Sequence, residues 1–356
     1  MGSKELKKKL VSKELSLDPN LPAANAFYSR QIDLFQSFLC NTKEEKDKLS
    51  NTIDLWDSIP KYCVSQQAMN GLRTKEGFLP GLEKSFIYQG NEYKIRITAA
   101  LIVTEDGDEK AFYPSANEEL VEDALRKIAA EHQQGFFNNA DYTSGTVFTI
   151  HLLRTELSKR GHTRSYYEIV KSLKILSGSH IEIILPSGKG FAKTSFLPSL
   201  TAVSRHNLND DPTAKWFAHF HPLVTQCIDT LRFRQYNYHQ MMSHSTQLSR
   251  WLHKKLSHNY TNASLFIPYQ IWLSTVRRDS GMLEYKRSGD GLRKLEQAFT
   301  ELKDNNVLLS FAREEEIRGE RNKIIDIKFS LTPHQEFIKS IKAANKRYSD
   351  NLSTTN

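Results

Sequence analysis

The sequence lacks the features that mark several protein classes. Only three cysteines occur in 356 residues, and none are spaced as a CxxC pair. This arrangement supplies neither a disulfide framework nor a zinc site, and it fits a reducing compartment. No run of about 18 apolar residues is present, so we expect no membrane span. The charged N-terminus also lacks the apolar core of a signal peptide, and we therefore expect a cytoplasmic protein.

Common catalytic signatures are missing as well. The sequence contains no GxxxxGK[ST] phosphate loop, no GxSxG and no HExxH. One enzymatic alternative is an HUH-type rolling-circle nickase, with His219 and His221 as metal pair and Tyr236 or Tyr238 as nucleophile. However, no third ligand motif is visible, and Trp216 belongs to the same aromatic strand. We therefore favour a structural strand, and we expect no enzyme activity, no metal and no cofactor.

The charge balance points to a polyanionic partner. Lysine and arginine number 49 against 41 acidic residues, which gives a formal net charge of +8. Nucleic acid is the commonest polyanion that a basic protein binds. Aromatic residues make up 10% and charged residues 25%, which is ordinary globular composition. We therefore expect a folded protein that associates with nucleic acid.

The N-terminal part differs from the rest of the chain. Residues 1–24 are lysine-rich and are predicted to form a flexible basic arm. Residues 25–110 are predicted to form an α/β extension. Two β-rich runs there flank residues 89–92, which predicts a β-hairpin. A flexible tail is expected over 348–356.

Two modules follow the extension, and the order of elements in each is the same. In the first module, residues 111–240, we predict helices over about 115–134, 145–161 and 163–178, then a two-stranded ribbon. In the second module, residues 241–347, we predict three further helices and a longer ribbon. These three helices are expected over about 245–260, after Pro268, and over about 289–305. A last helix over about 333–347 closes the chain.

This order predicts the fold class. Three helices followed by a ribbon form the winged-helix plan, in which the third helix enters the major groove and the ribbon is the wing. We therefore predict an α+β protein with tandem winged-helix domains and an N-terminal α/β extension. The second module is expected to be the main DNA-reading domain. The first is expected to contact the DNA backbone.

The third helix of the second module carries the main candidates for base contact. Arg293, Lys294 and Gln297 lie within about one turn, opposite an apolar stripe. Arginine and lysine reach guanine edges or phosphates, and glutamine reads adenine. Further cations lie before this helix and at the tip of the second wing, and we predict that they contact phosphates. They are Arg277, Arg278, Lys286, Arg287, Arg321 and Lys323.

The first module offers a similar set. Arg164, Ser165 and Tyr166 open its third helix, where a helix N-terminus suits a phosphate. Tyr167 is expected to lie in the core. The other candidates lie later on the same helix and on the first wing. They are Lys171, Lys174, Lys189 and Lys193.

Two segments resemble theta-type plasmid replication initiators. The junction between the modules reads KWFAHFHPLVTQCIDTLRFRQYNYHQMMSHSTQLSRWLHKKLSHNY, and the second module's third helix reads GDGLRKLEQAFTELKDNNVL. The resemblance covers about residues 115–346. It implies a protein that binds repeated double-stranded sites (iterons) as a monomer and promotes melting of an adjacent AT-rich segment. It also implies recruitment of the host replication initiator and the replicative helicase, and dimers formed mainly through the first module. The other alternative is a transcriptional regulator with tandem winged helices.

Overall fold

The computed structural model describes residues 43–104, 106–131, 134–138, 141–204, 211, 213–230, 232–285 and 288–354. The predicted basic arm, residues 1–24, lies outside these ranges. The described part of the extension runs from α1 to the strands that precede the first module. Its elements are α1 (Lys43–Lys48), β1 (Leu49–Ile53), α2 (Asp54–Ser58), α3 (Gln66–Leu72), β2 (Leu82–Tyr88), β3 (Asn91–Thr98), β4 (Ala100–Val103) and β5 (Glu109–Phe112).

The first module has the predicted order of three helices and a ribbon, with extra strands between the first and second helices. Its helices and ribbon are α4 (Ala116–Glu131), α5 (Ile150–Lys159), α6 (Tyr166–Gly178), β8 (His180–Ile184) and β9 (Phe191–Ser195). Its other elements are β6 (Gly135–Asn138), β7 (Thr143–Phe148), β10 (Leu200–Val203), β11 (Lys215–His219), α7 (Pro222–Asp229), β12 (Phe233–Asn237) and α8 (Tyr238–Met242).

The second module repeats this order with a longer third helix and a longer ribbon. Its second helix begins at Leu273, because residues 269–272, which were predicted to open it, form a strand. Its elements are α9 (Gln247–Asn259), β13 (Tyr269–Trp272), α10 (Leu273–Ser280), α11 (Ser288–Asp304), β14 (Leu308–Arg318), β15 (Ile324–Pro333) and α12 (Gln335–Thr354). Strands β13, β15 and β14 form one antiparallel sheet in that order. Helix α12 continues to Thr354, well into the predicted tail.

The predicted hairpin is present and belongs to a larger sheet. Strands β2 and β3 pair around Gln89 and Gly90, which have φ values of 48° and 78°. Two positive φ values at the centre of a two-residue loop are typical of a type I′ turn. Strand β3 also pairs with β8, so hairpin and first wing form one four-stranded antiparallel sheet. The extension therefore supports the wing directly.

The second helix of the first module begins later than predicted. The prediction placed its start at residue 145, but residues 143–148 form strand β7, and helix α5 begins at Ile150, after the N-cap Thr149. The cause is a close strand-to-strand approach at Gly145, where an added Cβ would lie 2.1 Å from the carbonyl oxygen of Ala218 on β11. Glycine is therefore required by the sheet. The sequence alone did not show that partner strand.

Two apolar cores divide the chain near the predicted module boundary. The first includes buried residues from Ile53 to Met242, and the second runs from Leu248 to Ile341. Strand β1 pairs with β12, which ties the extension to the end of the first module. The predicted boundary at residue 110 falls inside β5, and the first core includes residues on both sides of it. The module boundaries at residues 110 and 240 both stay predictions.

Candidate nucleic-acid interface

Helix α11 presents a polar face opposite a buried apolar one. Leu295, Phe299 and Leu302 are fully buried in the second core. Arg293, Lys294 and Gln297 are exposed on the other face, and the Arg293 side chain is 81% accessible. Arg293 Nη1 lies 3.7 Å from Asp290 Oδ1, a weak surface pair. Lys294 and Gln297 have no hydrogen-bond or ion-pair partner within the described part of the chain.

The cations before α11 differ in how they are held. Arg278 Nε donates to Asp279 Oδ1 at 2.7 Å, and Lys255 Nζ lies 2.9 Å from Asp279 Oδ2. Arg277, one residue earlier on α10, has no side-chain partner among the described residues. Arg277 is therefore the better placed of the two for a phosphate. Lys286 and Arg287 lie outside the described residues.

The second wing pairs some of its charged side chains with one another and with α11. Arg313 Nη2 lies 2.6 Å from Glu296 Oε1 of α11, and Arg318 Nη2 lies 2.5 Å from Glu316 Oε2. The wing tip contains Arg321 and Lys323, both exposed. Arg321 has a φ of 55°, within a tight turn between β14 and β15. The tip therefore displays cations, although the sequence places three glutamates in the strand before it.

The entrance of α6 is already occupied by the chain itself. Ser165 and Glu168 form a capping box, in which the Ser165 N–H donates to Glu168 Oε2 at 2.8 Å. This hydrogen bond, followed by that of the Ser165 hydroxyl, lowers the pKa of Glu168. A phosphate at Ser165 would meet a carboxylate there. Arg164 remains suitable, because Asn117 Oδ1 accepts from its Nε at 3.1 Å and its Nη2 at 2.8 Å and so holds the guanidinium in place.

The two tyrosines of α6 are reversed relative to the prediction. Tyr166 packs against the first core, whereas Tyr167 is 39% exposed. The helix begins at Tyr166, which lies three residues before buried Ile169 and so shares its face, whereas Tyr167 is two residues from Ile169 and points away. Tyr167 was therefore wrongly placed in the core. The exposed tyrosine becomes a further candidate for DNA contact.

The remaining cations of the first module lie on α6, in the turn between β8 and β9, and on β9. Lys171 Nζ lies 4.1 Å from the centroid of the Phe112 ring, a cation–π contact. Lys174, Lys189 and Lys193 are exposed and have no side-chain partner in the described ranges. Phe191 lies between the two wing lysines and is 69% exposed.

A basic cleft at the α5–α6 turn was missed at the sequence level. It has a volume of about 500 Å³, and it brings His151 and Arg154 beside Arg164. Arg154 Nε donates to the Arg164 carbonyl at 3.2 Å. His151 and Arg154 are three residues apart on one face of α5, and this spacing was the available signal. The cleft suits a DNA phosphate beside the turn.

The residues considered for a nickase site include His221, Tyr236 and Tyr238, and all three are buried. His221 is buried and stacks on Trp56 with ring centroids 4.2 Å apart, and its Nδ1 accepts from the Leu223 N–H at 3.1 Å. Burial, followed by nearby Lys61, lowers the pKa of His221 to about 3. Tyr236 and Tyr238 are only 3% and 0% exposed. A tyrosine nucleophile cannot reach DNA from these positions, which argues against the nickase.

No group of three or more histidine, cysteine, aspartate or glutamate side chains among the described residues is arranged to hold a metal ion. None of the helices in the described ranges combines the length and the apolar character needed to cross a membrane.

Comparison with known proteins finds similar solved structures only. No protein-family model and no curated protein matches the sequence. A selenomethionine derivative of domains 2 and 3 of RctB is 11% identical with a TM-score of 0.45, over 83% of this chain and 99% of the other. A second RctB structure, of domains 2–3, is 12% identical with a TM-score of 0.43, over 76% and 97%.

A third structure contains DNA. It is the Pi initiator protein in complex with iteron DNA, 12% identical with a TM-score of 0.34, over 82% of this chain and 99% of the other.

Proposed function

We propose that this chain is a theta-type replication initiator with tandem winged-helix modules. It binds repeated double-stranded sites at an origin, promotes opening of the adjacent AT-rich DNA, and recruits the host initiator and the replicative helicase. It also self-associates through the first module. No step requires a catalytic residue or a cofactor.

The observation that carries the proposal is the exposed face of α11. Arg293 is 81% accessible, and Lys294 and Gln297 lie beside it without partners in the described part of the chain. An arginine, a lysine and a glutamine on one helical face match the donors that read guanine and adenine in the major groove. Further cations precede and follow this helix in the chain, and they supply contacts to the DNA backbone. They are Arg277 before it and Arg321 and Lys323 at the wing tip after it.

The first module supplies a second, less sequence-specific contact. Its free cations Lys174, Lys189 and Lys193 suit phosphates, as does the cleft beside Arg164. Contacts from two modules provide the binding free energy that offsets DNA bending and opening. Because so many contacts are to phosphates, affinity should fall steeply as the salt concentration rises.

Footprinting on a supercoiled plasmid that carries the upstream region of the gene tests the proposal. The expected result is regularly spaced protection, distortion of a neighbouring AT-rich stretch, and intact strands with or without Mg²⁺. A single protected operator without repeats would instead indicate the transcriptional regulator. A site-specific nick with protein on the 5′ end would indicate the nickase.

A further inference from the structure

The edge strand of the first wing carries a phenylalanine that faces solvent. Strand β9 begins at Phe191, which is 69% exposed although Ile184 of β8 pairs with it. Strand β9 is the last strand of the four-stranded sheet, so no further strand covers this side. A phenylalanine that only packed the wing would be buried, and an exposed aromatic on a sheet edge invites aggregation. Its exposure therefore needs a reason other than the fold.

The backbone around this phenylalanine is well supported. Strand β9 pairs with β8 along its whole length, and β8 pairs with β3 on its other side. The Leu185 N–H donates to the Gly190 carbonyl at 2.9 Å and closes the turn between the two wing strands. Gly188 in this turn has a φ of 67°, which glycine adopts without strain. A side chain carried on such a ribbon loses little entropy when it binds a partner.

The surroundings of this phenylalanine are basic. Lys193 follows it on the same face of β9, and Lys189 lies in the turn before it. Neither lysine has a side-chain partner within the described part of the chain. Residues 183–209 contain no aspartate or glutamate. Lys94 and Glu92 on the neighbouring strand β3 offset each other, so the net charge beside the ring is positive.

These charges favour DNA over a second copy of the chain as the partner. Two β9 edges paired antiparallel about Phe191 would place Lys189 of one copy opposite Lys193 of the other, and like charges opposite each other destabilise a strand pair. The minor groove of DNA, by contrast, has a phosphate backbone on each side. Proteins that bind this groove combine cations with an apolar side chain, phenylalanine among them, that inserts between base steps.

We propose that Phe191 is a wedge that inserts from the minor groove between two stacked base pairs of the bound site, while Lys189 and Lys193 contact phosphates beside it. This inference rests on the proposed function, which brings the first wing to DNA. Partial unstacking by the ring kinks the duplex, and the kink directs binding free energy into distortion of the DNA. Pyrimidine–purine steps unstack most easily, so the wedge is expected at such a step.

Repeat DNA with 2-aminopurine in place of single adenines tests the wedge, because the fluorescence of this base rises when it is unstacked. Full-length wild type should raise the fluorescence at one step of the repeat. Phe191→Ala should reduce this rise about fivefold or more, whereas Phe191→Leu should keep most of it, since leucine also serves as a wedge. Phe266→Ala, the same change at a phenylalanine 92% exposed in the second module, should leave the rise unchanged.

The salt dependence of binding separates the wedge from its lysines. Lys189→Ala and Lys193→Ala should each reduce the slope of log affinity against log salt concentration by about 1, because each removes a phosphate contact. Phe191→Ala removes no charge and should leave the slope unchanged. Protection of the repeats by Phe191→Ala in footprinting shows that this variant folds and binds.

The wedge is overturned if wild type protects the repeats without a rise in fluorescence, or if Phe191→Ala gives the same rise as wild type. An unchanged rise together with loss of self-association in sedimentation would assign the strand edge to a second copy. A wild type that protects no repeats would overturn the proposed origin binding instead. Fluorescence on an A·T-rich duplex without repeats then decides the wedge, which predicts a rise that Phe191→Ala loses.

Discussion

Lys254 Nζ lies 2.5 Å from Asp123 Oδ2, and this buried ion pair joins helix α9 of the second module to helix α4 of the first. Glu119 Oε1 lies 3.2 Å from the same ammonium group. Arg126 Nη2 extends the cluster to Asp123 at 2.7 Å and to Asp57 of α2 at 2.9 Å. The extension and both modules therefore meet at one charged cluster, where each buried charge depends on an opposite partner.

Removing the lysine should destabilise the whole chain. Burial lowers the pKa of Lys254, but the nearby carboxylates of Asp123 and Glu119 raise it by more than burial lowers it. The pKa is therefore above its ordinary value, and the ammonium group stays charged. Lys254→Met leaves the buried Glu119 carboxylate without its cation and leaves Asp123 with Arg126 alone, and we expect the free energy of unfolding to fall by about 3–5 kcal/mol. Urea unfolding measures this. Lys303→Met, an exposed lysine on α11, is the control, and equal stability of both variants would contradict the account.

Removing two cations from the reading face should weaken specific binding. For Arg293→Ala with Lys294→Ala, each lost base contact is expected to cost about 1–3 kcal/mol on origin DNA and little on random DNA. Lys339→Ala with Lys342→Ala removes the same charge from exposed positions on α12 and is the matched control. Fluorescence anisotropy on both DNAs gives the ratio. Equal losses on both would make Arg293 and Lys294 phosphate contacts only.

Acid should remove one defined contribution to the stability of the second module. Glu301 accepts from the Ser249, Thr246 and Ser245 hydroxyls at the start of α9. Burial raises its pKa, but these hydrogen bonds outweigh burial, and the pKa falls to about 2 from the ordinary 4.5. The stabilisation is thus complete above about pH 4.5 and is lost as the pH falls through about 2.

Glu301→Gln tests this directly. Its stability deficit in urea unfolding should be larger at pH 6 than at pH 3, because wild type loses the contribution of the carboxylate in acid. Glu336→Gln, at an exposed position, should show no such difference. A deficit for Glu301→Gln that stays constant with pH would show that the carboxylate does not act as a charged cap.

DNA binding should not depend on metal. His219 packs edge-on against Phe136, with ring centroids 5.4 Å apart, and Tyr236 is buried. We therefore expect a chelator to leave the footprint unchanged in wild type and in His219→Ala. Neither wild type nor Tyr236→Phe should nick the DNA. A chelator-sensitive cleavage that Tyr236→Phe abolishes would refute this.

Local patterns in the sequence were sufficient for some elements. Apolar spacing predicted α11 to within a residue or two, and the helix indeed buries Leu295 and Phe299 while exposing Arg293. The residues Gln89 and Gly90 marked the hairpin turn. These features depend on side chains close together in the chain, which is the range that periodicity reports.

Features that depend on contacts between residues far apart in the sequence could not be predicted from it. The pairing of β3 with β8, and of β1 with β12, depends on registers between segments far apart in sequence. Gly145 looked like the start of a helix because its pairing partner on β11, His219, lies 74 residues later in the sequence. The cluster around Lys254 was missed for the same reason, since charge alone does not show burial.

If the chain binds as proposed, both modules of one chain contact one repeat. Hydroxyl-radical footprinting of a single repeat at saturating protein shows whether one module or both contact the DNA. We predict two protected patches about one helical turn, or roughly 10 base pairs, apart. Arg293→Ala with Lys294→Ala should remove only the patch of the second module. A single patch in wild type, or one that these substitutions leave intact, would contradict the account.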